Sequence, residues 1–436
     1  MKKSVYISFS TDVIHGGHIE IIQKASLLGE VTVGILTDEA IASYKRYPVL
    51  PYEERTILLD NIKGVSHVVP QTTLSYAQNI NELKPDYVVH GDDWLTGPQR
   101  PIRDEVIKLL AFYGGELVEY PYSQKEEYQN LESRQKEILS MPDFRRGRLK
   151  RLLAIKPVVS IVETHSGLTG LIAEKTTVEV NGEIRQFDGM WCSSLCDATS
   201  KGKPDIELLD MSTRMATIDE IMEVTTKPII FDADTGGQVE HFVYNVCSLE
   251  RMGVSAVIIE DKTGLKRNSL FGTEVDQTQE SIEKFCEKLS AGKRALKTKD
   301  FYMIARIESL ILEKGMDDAL KRAFAYVEAG ANGLMIHSRK KDPGEIFQFC
   351  EAFRKQNTIV PIVVVPTTFN TVTEDEFAAK GANIVIYANQ LTRSGFPAMQ
   401  NVAKTILSHK RAKEADELCM PISEILTLIP VDKCDC

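Results

Sequence analysis

No apolar run in this sequence reaches the ~18 residues of a membrane span, and Met-Lys-Lys-Ser leads straight into a strand pattern with no apolar leader segment. Membrane insertion and export are therefore not expected, and a cytoplasmic location is. The eight cysteines form no CxxC pair. That argues against a thiolate metal cage and suits free thiols in a reducing compartment. The closing Cys434-Asp435-Cys436 reads as a frayed tail. Basic charge is in deficit, with 52 Lys and Arg against 62 Asp and Glu and a net charge of −10. Such a chain is a poor coat for nucleic acid or for an anionic membrane. There is no GxSxG, so the serine elbow of acyl transfer has no counterpart.

What is present is a globular composition, 43% hydrophobic and 26% charged, over 436 residues. That length predicts two or three domains. The most informative stretch is Pro228–Ser269, which reads as strand, helix, strand and loop. Asp232 and Asp234 end its first apolar run, and Glu260 and Asp261 end the second. The 28-residue spacing from Asp232 to Glu260 is that of one βαβ unit. A right-handed crossover brings both strand ends to the same face. Carboxylates gathered without histidine repel one another unless a hard cation sits among them, and oxygen donors favour Mg²⁺. The next segment, Thr263–Thr273, has a glycine near each end (Gly264 and Gly272) and carries Lys266, Arg267 and Asn268. It suits a lid that closes cationic and amide groups over an anionic substrate.

Around this unit lie eight short apolar runs: VVSIVE, QFDGMW, PIIFD, AVIIE, FYMIAR, NGLMIH, PIVVV and NIVIY. Most are separated by helical patterns, which predicts a (β/α)8 barrel over residues 151–430 with its chemistry at the strand C-termini. Those ends carry Glu163 and His165, Trp191 and Ser193, Asp232 and Asp234, Glu260, Arg306 and Glu308, His337 and Ser338, Pro366 and Thr367, and Asn389. Cys192 and Cys196 lie near the rim without an evident base and read as core thiols. Lys262 and Lys266 lie beside carboxylates, which raises a lysine pKa and opposes Schiff-base chemistry. A Mg²⁺-held oxyacid facing Arg306, His337, Asn268 and Lys266 remains. Thr176–Gln186 carries a Val-Asn-Gly-Glu hairpin signal away from this chemistry.

Residues 1–122 alternate strand and helix patterns, which predicts a small doubly wound, Rossmann-like domain. A strand pattern running to Asp12 is followed by a helix whose first turn holds His15 and His18. A helix N-terminus offers N–H groups to phosphate, and two imidazoles one turn apart can add donors. Between the two domains, residues 123–150 are highly charged, and Arg145, Arg146, Arg148, Lys150 and Arg151 read as a solvated helical linker.

Two resemblances follow. Asp12–His18 (DVIHGGH), Lys45 and Arg46 before PYEER, Arg55 and Gly91–Trp94 (GDDW) are similar to the cytidylyltransferases acting on glycerol phosphate and choline phosphate. The resemblance implies that His15 and His18 hold a nucleoside triphosphate such as CTP. It implies that Lys45 and Arg55 neutralise phosphates and that Asp92 lies near metal or nucleotide. Phe9-Ser10-Thr11 replaces that family's Gly-Thr, and Glu119–Lys125 stands where its Ser-Thr-Thr cradle would be. A nucleotide-binding module without catalysis therefore stays open beside an active transferase.

The C-terminal half resembles the phosphoenolpyruvate mutase branch of the isocitrate lyase superfamily. The resemblance runs through ETHSGL, MWCSSL, FDADTGG, IEDKTGLKRNS, ARIE, MIHSRKKDP, VVPT and YANQLTR. Lyases of this superfamily carry a catalytic cysteine in the lid, where this chain has Lys266-Arg267-Asn268-Ser269. The resemblance implies interconversion of phosphoenolpyruvate and phosphonopyruvate with Mg²⁺ on Asp232, Asp234 and Glu260. It gives Asp210, Lys266, Asn268, Arg306 and His337 to catalysis, and Trp191, Ser193, Ser269 and Thr367 to substrate binding. It also implies a homo-oligomer, dimer or tetramer, built by helix exchange. Phosphonopyruvate hydrolysis shares most of these residues and is the alternative. The pairing of the two halves implies C–P bond formation in one and loading of a phosphonate onto CMP in the other.

Overall fold

A computed structural model describes residues 2–9, 14–42, 48, 50–95, 100–121, 137–180 and 183–429. In the N-terminal domain five strands form a parallel sheet: β1 Ser4–Phe9, β2 Glu30–Leu36, β3 His67–Gln71, β4 Tyr87–Gly91 and β5 Glu116–Tyr120. Their order is β3-β2-β1-β4-β5. Period-two alternation splits β1 between two cores. Val5 and Ile7 pack with Ile22, Val31 and Val33 on one face, and Tyr6 packs with Val88 and Trp94 on the other. The strand order reverses between β1 and β4, where open α/β sheets take their ligands. The helix Gly16–Leu28 starts just beyond β1.

The C-terminal domain is a closed eight-stranded barrel. Its staves are β6 Val159–Thr164, β9 Gly189–Cys192, β10 Ile229–Asp232, β11 Ala256–Glu260, β14 Tyr302–Ile307, β15 Gly333–Ile336, β16 Ile362–Val364 and β17 Ile384–Tyr387. Two ribbons interrupt the count: the hairpin β7 Thr177–Val180 with β8 Glu183–Gln186, and the short pair β12 Lys262–Thr263 with β13 Thr278–Gln279. All eight predicted strands are present. The hairpin lies before β9, at the N-terminal end of the staves, and its Asn181-Gly182 turn is outside the described residues.

Alternation decides what each stave shows the interior. Ile161, Trp191, Ile230, Ile258, Ile304 and Met335 share the inner core, while Met190, Phe231, Val257, Ile259, Met303 and Leu334 pack outward against the helices. Two residues further on, the same inward face reaches Glu163, Ser193, Asp232, Glu260, Arg306 and His337. The polar ring is thus the continuation of the apolar plug.

The arginine run corrects the expectation of a solvated linker. Pro142–Ile155 is a helix across the barrel's N-terminal end, with Leu149 and Leu152 in the inner core. Arg145, Arg146 and Arg148 are all buried. Arg145 donates to the carbonyls of Met222 (3.3 Å) and Thr225 (3.0 Å), Arg146 to that of Glu250 (3.1 Å), and Arg148 to that of Thr226 (2.8 Å). Met222 and Glu250 lie in the last turns of the helices Met211–Val224 and Val239–Met252. Cations there satisfy free carbonyls and the negative dipole end. Residues 122–136 of the expected linker are outside the described residues.

The helix Gln390–His409 has no buried residue, and its Phe396 (63%) and Leu407 (77%) are widely exposed. Its N-terminus is nonetheless pinned, because Glu163 accepts the Thr392 N–H at 2.6 Å.

Candidate active site

The polar ring at the C-terminal end of the barrel is closely knit. The Oδ2 of Asp232 accepts from Ser194 Oγ (2.9 Å) and Ser194 N (3.2 Å). Asp234 has a left-handed backbone (φ +54°), which aspartate tolerates better than most side chains. That bend lets its carbonyl accept the Glu260 N–H at 2.8 Å, tying two carboxylate-bearing loops together. Asp234 Oδ1 meets Lys266 Nζ at 2.5 Å, and Glu260 Oε1 meets Lys262 Nζ at 3.1 Å. Apart from those ammonium groups, neither buried oxygen has a hydrogen-bond partner among the described residues.

The charges set one another's protonation. Burial opposes the charge on Asp232, but Lys266, Arg214 and Arg306 outweigh it and keep the pKa low. Burial raises Asp234, with the neighbouring Asp232 adding to the rise. Burial also pushes Glu260 up to about 7 against the pull of Arg306 and Lys262. Glu308 is driven down to about 2, because Arg306, Lys262 and His337 overcome its burial. His337 is lowered to about 3 by burial and by Arg306, so it is neutral near pH 7. Its Nδ1 is buried and has no hydrogen-bond partner.

These oxygens suit a hard divalent cation in chemistry: they are buried carboxylate oxygens, and two of them meet no group but a lysine ammonium. Among the described residues, however, no three acidic or imidazole side chains stand close enough to cage an ion. Asp232, Asp234 and Glu260 share one region, with the Lys266 ammonium drawn in among them.

The lid lies over this region. Lys266 is buried and ion-pairs with both Asp234 and Asp205. Asn268 Nδ2 donates to Asp205 Oδ2 at 2.9 Å. Ser269 is buried, donates to Glu308 (2.5 Å), and accepts from Arg306 (2.6 Å) and Lys262 (3.0 Å). Arg306 also donates to Glu308 at 2.6 Å and lies 3.4 Å from Glu260. Trp191 belongs to the inner core and floors the site. Thr367 is half-buried just beyond β16.

Two sequence expectations need correction, and one residue was missed. Asp210 does not face the cluster. It is exposed and caps the helix Met211–Val224, accepting from Thr213 N (3.0 Å) and Thr213 Oγ1 (2.7 Å). Asp205, five residues earlier, is the aspartate that meets the lid. Ser193 uses its side chain to cap the helix Ser194–Ser200, and its own N–H goes to the Trp191 carbonyl at 3.1 Å. Of these two neighbouring serines, Ser194 is the one that touches a carboxylate, that of Asp232. Arg214 was not anticipated either. It is buried, lies 3.3 Å from both Asp197 and Asp234, and stacks on Phe231. Neither Asp205 nor Arg214 lies on a strand, so no alternation marks them. The only hint of Asp205 is a polar stretch, SKGKPDIE, between two helical patterns.

In the N-terminal domain, His15 caps the helix Gly16–Leu28. Its Nδ1 accepts the Gly17 N–H at 3.1 Å, and His18 Nδ1 takes the His15 N–H at 3.3 Å. With each Nδ1 an acceptor, a neutral ring must carry its proton on Nε2. The rings lie 3.8 Å apart. Burial lowers both pKa values, that of His18 to about 3 with help from His15. Asp92 opens a 3-10 turn at the end of β4. Arg55 departs from its expected role. It is only 2% exposed and donates to Asp38 (2.5 Å), Leu36 O (2.9 Å) and Leu50 O (3.1 Å), so its charge is engaged inside the fold. Asp12, Lys45 and Ser123 lie outside the described residues.

No helix among the described residues is long and apolar enough to cross a membrane. Residues 149–407 match the family model Phosphoenolpyruvate phosphomutase, and residues 10–127 match Cytidylyltransferase-like. A phosphoenolpyruvate phosphomutase of Tetrahymena pyriformis is 32% identical over 284 residues, 64% of this chain and 90% of that protein. A phosphonopyruvate hydrolase of Variovorax sp. is 36% identical over 262 residues, 60% of this chain and 89% of that protein. The solved structure of a phosphonopyruvate hydrolase with oxalate and Mg²⁺ has a TM-score of 0.57 at 32% identity, covering 65% of this chain and 94% of that one. With the family model spanning more than half its length and the barrel closed as such a family requires, the chain belongs to the phosphoenolpyruvate phosphomutase family, with a cytidylyltransferase-like domain ahead of the barrel.

Proposed function

We propose that the barrel interconverts phosphoenolpyruvate and phosphonopyruvate, exchanging an O–P bond for a C–P bond. The observation that carries this reading is the lid. A thiol-free segment lays Lys266 and Asn268 against Asp205, above Asp232, Asp234 and Glu260. Asp232, Asp234 and Glu260 would hold Mg²⁺, which when bound would supply Lewis-acid charge at the enolate and carboxylate oxygens of pyruvate.

The chain's own groups do the rest. Trp191 floors the pocket and keeps the pyruvate unit flat. The neutral His337 presents a ring nitrogen free of protein partners to the phosphoryl oxygens. Arg306, fixed by Glu308 and Ser269, provides positive charge that does not titrate. Asn268 supplies an amide donor when substrate displaces its Asp205 partner. Each is a preorganised group placed where phosphoryl charge spreads. A closed lid excludes water, which would otherwise capture the migrating group and give pyruvate and phosphate.

The same site could serve phosphonopyruvate hydrolysis, and the 36% identity to a hydrolase is the observation favouring that second reading. Product analysis with phosphonopyruvate and Mg²⁺ separates them. Phosphoenolpyruvate supports the mutase, and stoichiometric phosphate without it supports the hydrolase.

For the N-terminal domain we propose CTP-dependent transfer of a cytidylyl group to a phosphonate or phosphate. The two Nε2–H donors at a helix N-terminus support this. Incubation with CTP and aminoethyl- or hydroxyethylphosphonate should release pyrophosphate. CTP binding without release would leave a nucleotide-binding module. We place the protein in the cytoplasm as a homo-oligomer. The unburied helix Gln390–His409, with Phe396, Met399 and Leu407 exposed, supports helix exchange between copies.

A further inference from the structure

The ammonium of Lys262 lies beneath the lid at the junction of three of its parts. It donates to the carbonyl of Arg267 (2.8 Å), to Ser269 Oγ (3.0 Å) and to Gln277 Oε1 (3.0 Å). Gln277 in turn donates to the Gly272 carbonyl at 2.7 Å. Gly272 has φ +54° and ψ −131°, and the Arg339 guanidinium lies 2.5 Å from where a Cβ would stand. It is therefore a bend that only glycine can make. One buried cation thus grips the lid before its Asn268, at Ser269 and, through Gln277, at its far hinge. On its other side the same ammonium faces two strand-end carboxylates, Glu260 at 3.1 Å and Glu308 at 3.6 Å. Lys262 itself belongs to the short ribbon β12–β13, whose partner strand Thr278–Gln279 follows Gln277 directly. The ribbon fixes the ammonium and the amide relative to each other.

We propose that Lys262 is the positioning residue that holds the lid shut, with Gln277 as its relay to the Gly272 hinge. This rests on the mutase reading above. Two of the three hydrogen-bonded oxygens, those of Arg267 and Ser269, belong to the lid, so opening it removes two partners from a buried ammonium and parts Gln277 from the Gly272 carbonyl. Leaving a buried charge short of partners is costly, which biases the segment toward the closed form. The chemical consequence is water exclusion. If the lid opens during turnover, water attacks the phosphoryl group. The bond to phosphorus breaks, the new P–O bond is to the water oxygen, and a proton goes to C3 of the enolate. Phosphate and pyruvate result in place of the rearranged product.

The test compares the wild-type chain with Lys262→Met, Lys262→Arg and Gln277→Leu. Hydrogen–deuterium exchange of residues 264–274 reads the lid without any chemistry. Product partition between phosphate and rearranged substrate reads water exclusion, and Mn²⁺ titration by EPR reads the carboxylates. Lys262→Met should exchange about tenfold faster over the lid, as the loss of roughly one buried charged hydrogen bond implies, and should shift products toward phosphate. Lys262→Arg should recover part of both effects. Gln277→Leu, which touches no carboxylate, should show the same two changes more weakly with unaltered Mn²⁺ binding. Wild-type exchange over the lid in both Lys262→Met and Gln277→Leu would overturn the proposal. So would a Lys262→Met defect confined to Mn²⁺ affinity. A wild-type enzyme that forms no phosphoenolpyruvate would sink the mutase reading instead, while the exchange arm would still judge Lys262.

Discussion

The two halves of this chain prepare for phosphate with opposite electrostatics. The barrel packs basic and acidic side chains against one another: Lys262, Lys266, Arg214 and Arg306 interleave with Asp205, Asp232, Asp234, Glu260 and Glu308, most of them buried. The N-terminal domain presents two neutral imidazoles whose Nδ1 atoms are held by backbone N–H groups. Buried charges need many partners, so the barrel cluster draws on three staves, the short ribbon, the helix Met211–Val224 and two loops. Neutral rings at a helix end need only their own first turn. The difference teaches that a site's electrostatic style sets how much of the chain must cooperate to build it.

The comparison breaks most severely at Asp234. Asp234→Ala should cut phosphonopyruvate turnover by about 10³-fold and abolish Mn²⁺ binding measured by EPR. Retained activity in EDTA would mean that the carboxylates are not a metal site. Next come the lid contacts. Asn268→Ala should lose about 10²-fold in kcat, as the loss of one preorganised donor does. Asp205→Ala should fall with it, since each residue holds the other. Near-normal turnover in either variant would remove the lid from the mechanism. Asp210→Ala sharpens the assignment from the other side. It should move the urea midpoint to lower concentration, as the loss of a helix cap does, and keep wild-type kcat.

The smallest effect belongs to the imidazoles. With its pKa lowered to about 3, His18 should show a flat NMR ring-proton shift from pH 8 to pH 5. The sign of the linkage follows. Between the unfolded value near 6.5 and the folded value near 3, the unfolded chain holds the extra proton, so this residue favours folding more as pH rises. Its contribution is complete above about pH 6.5 and falls away as pH drops toward 3. A titration midpoint near 6.5 in the folded protein would erase the contrast with the barrel.

Much of this was legible in the sequence, for a definite reason. Wherever a site residue continues a strand's alternation, as Asp232, Glu260, Arg306 and His337 do, the apolar run before it announces both the strand and its inward face. His15 and His18 announce themselves because their spacing and the helix start are local. What stayed hidden lies off those periods. Asp205 sits in a loop that meets the site through the lid residues Lys266 and Asn268, and the resemblance pointed to Asp210 in its place. Arg145, Arg146 and Arg148 looked solvated because a charge run carries no record of the helix carbonyls that bury it. Arg55 looked free for phosphate because the sequence does not reveal Asp38 and two carbonyls closing around it.

The central claim is that the lid and the carboxylates together rearrange phosphoenolpyruvate. A ³¹P NMR time course of the whole protein with phosphonopyruvate and Mg²⁺ tests it most directly. The account predicts that the phosphonate resonance gives way to that of a phosphate ester until phosphoenolpyruvate dominates, with little free phosphate. A spectrum that gains only inorganic phosphate, or one that does not change, would contradict it.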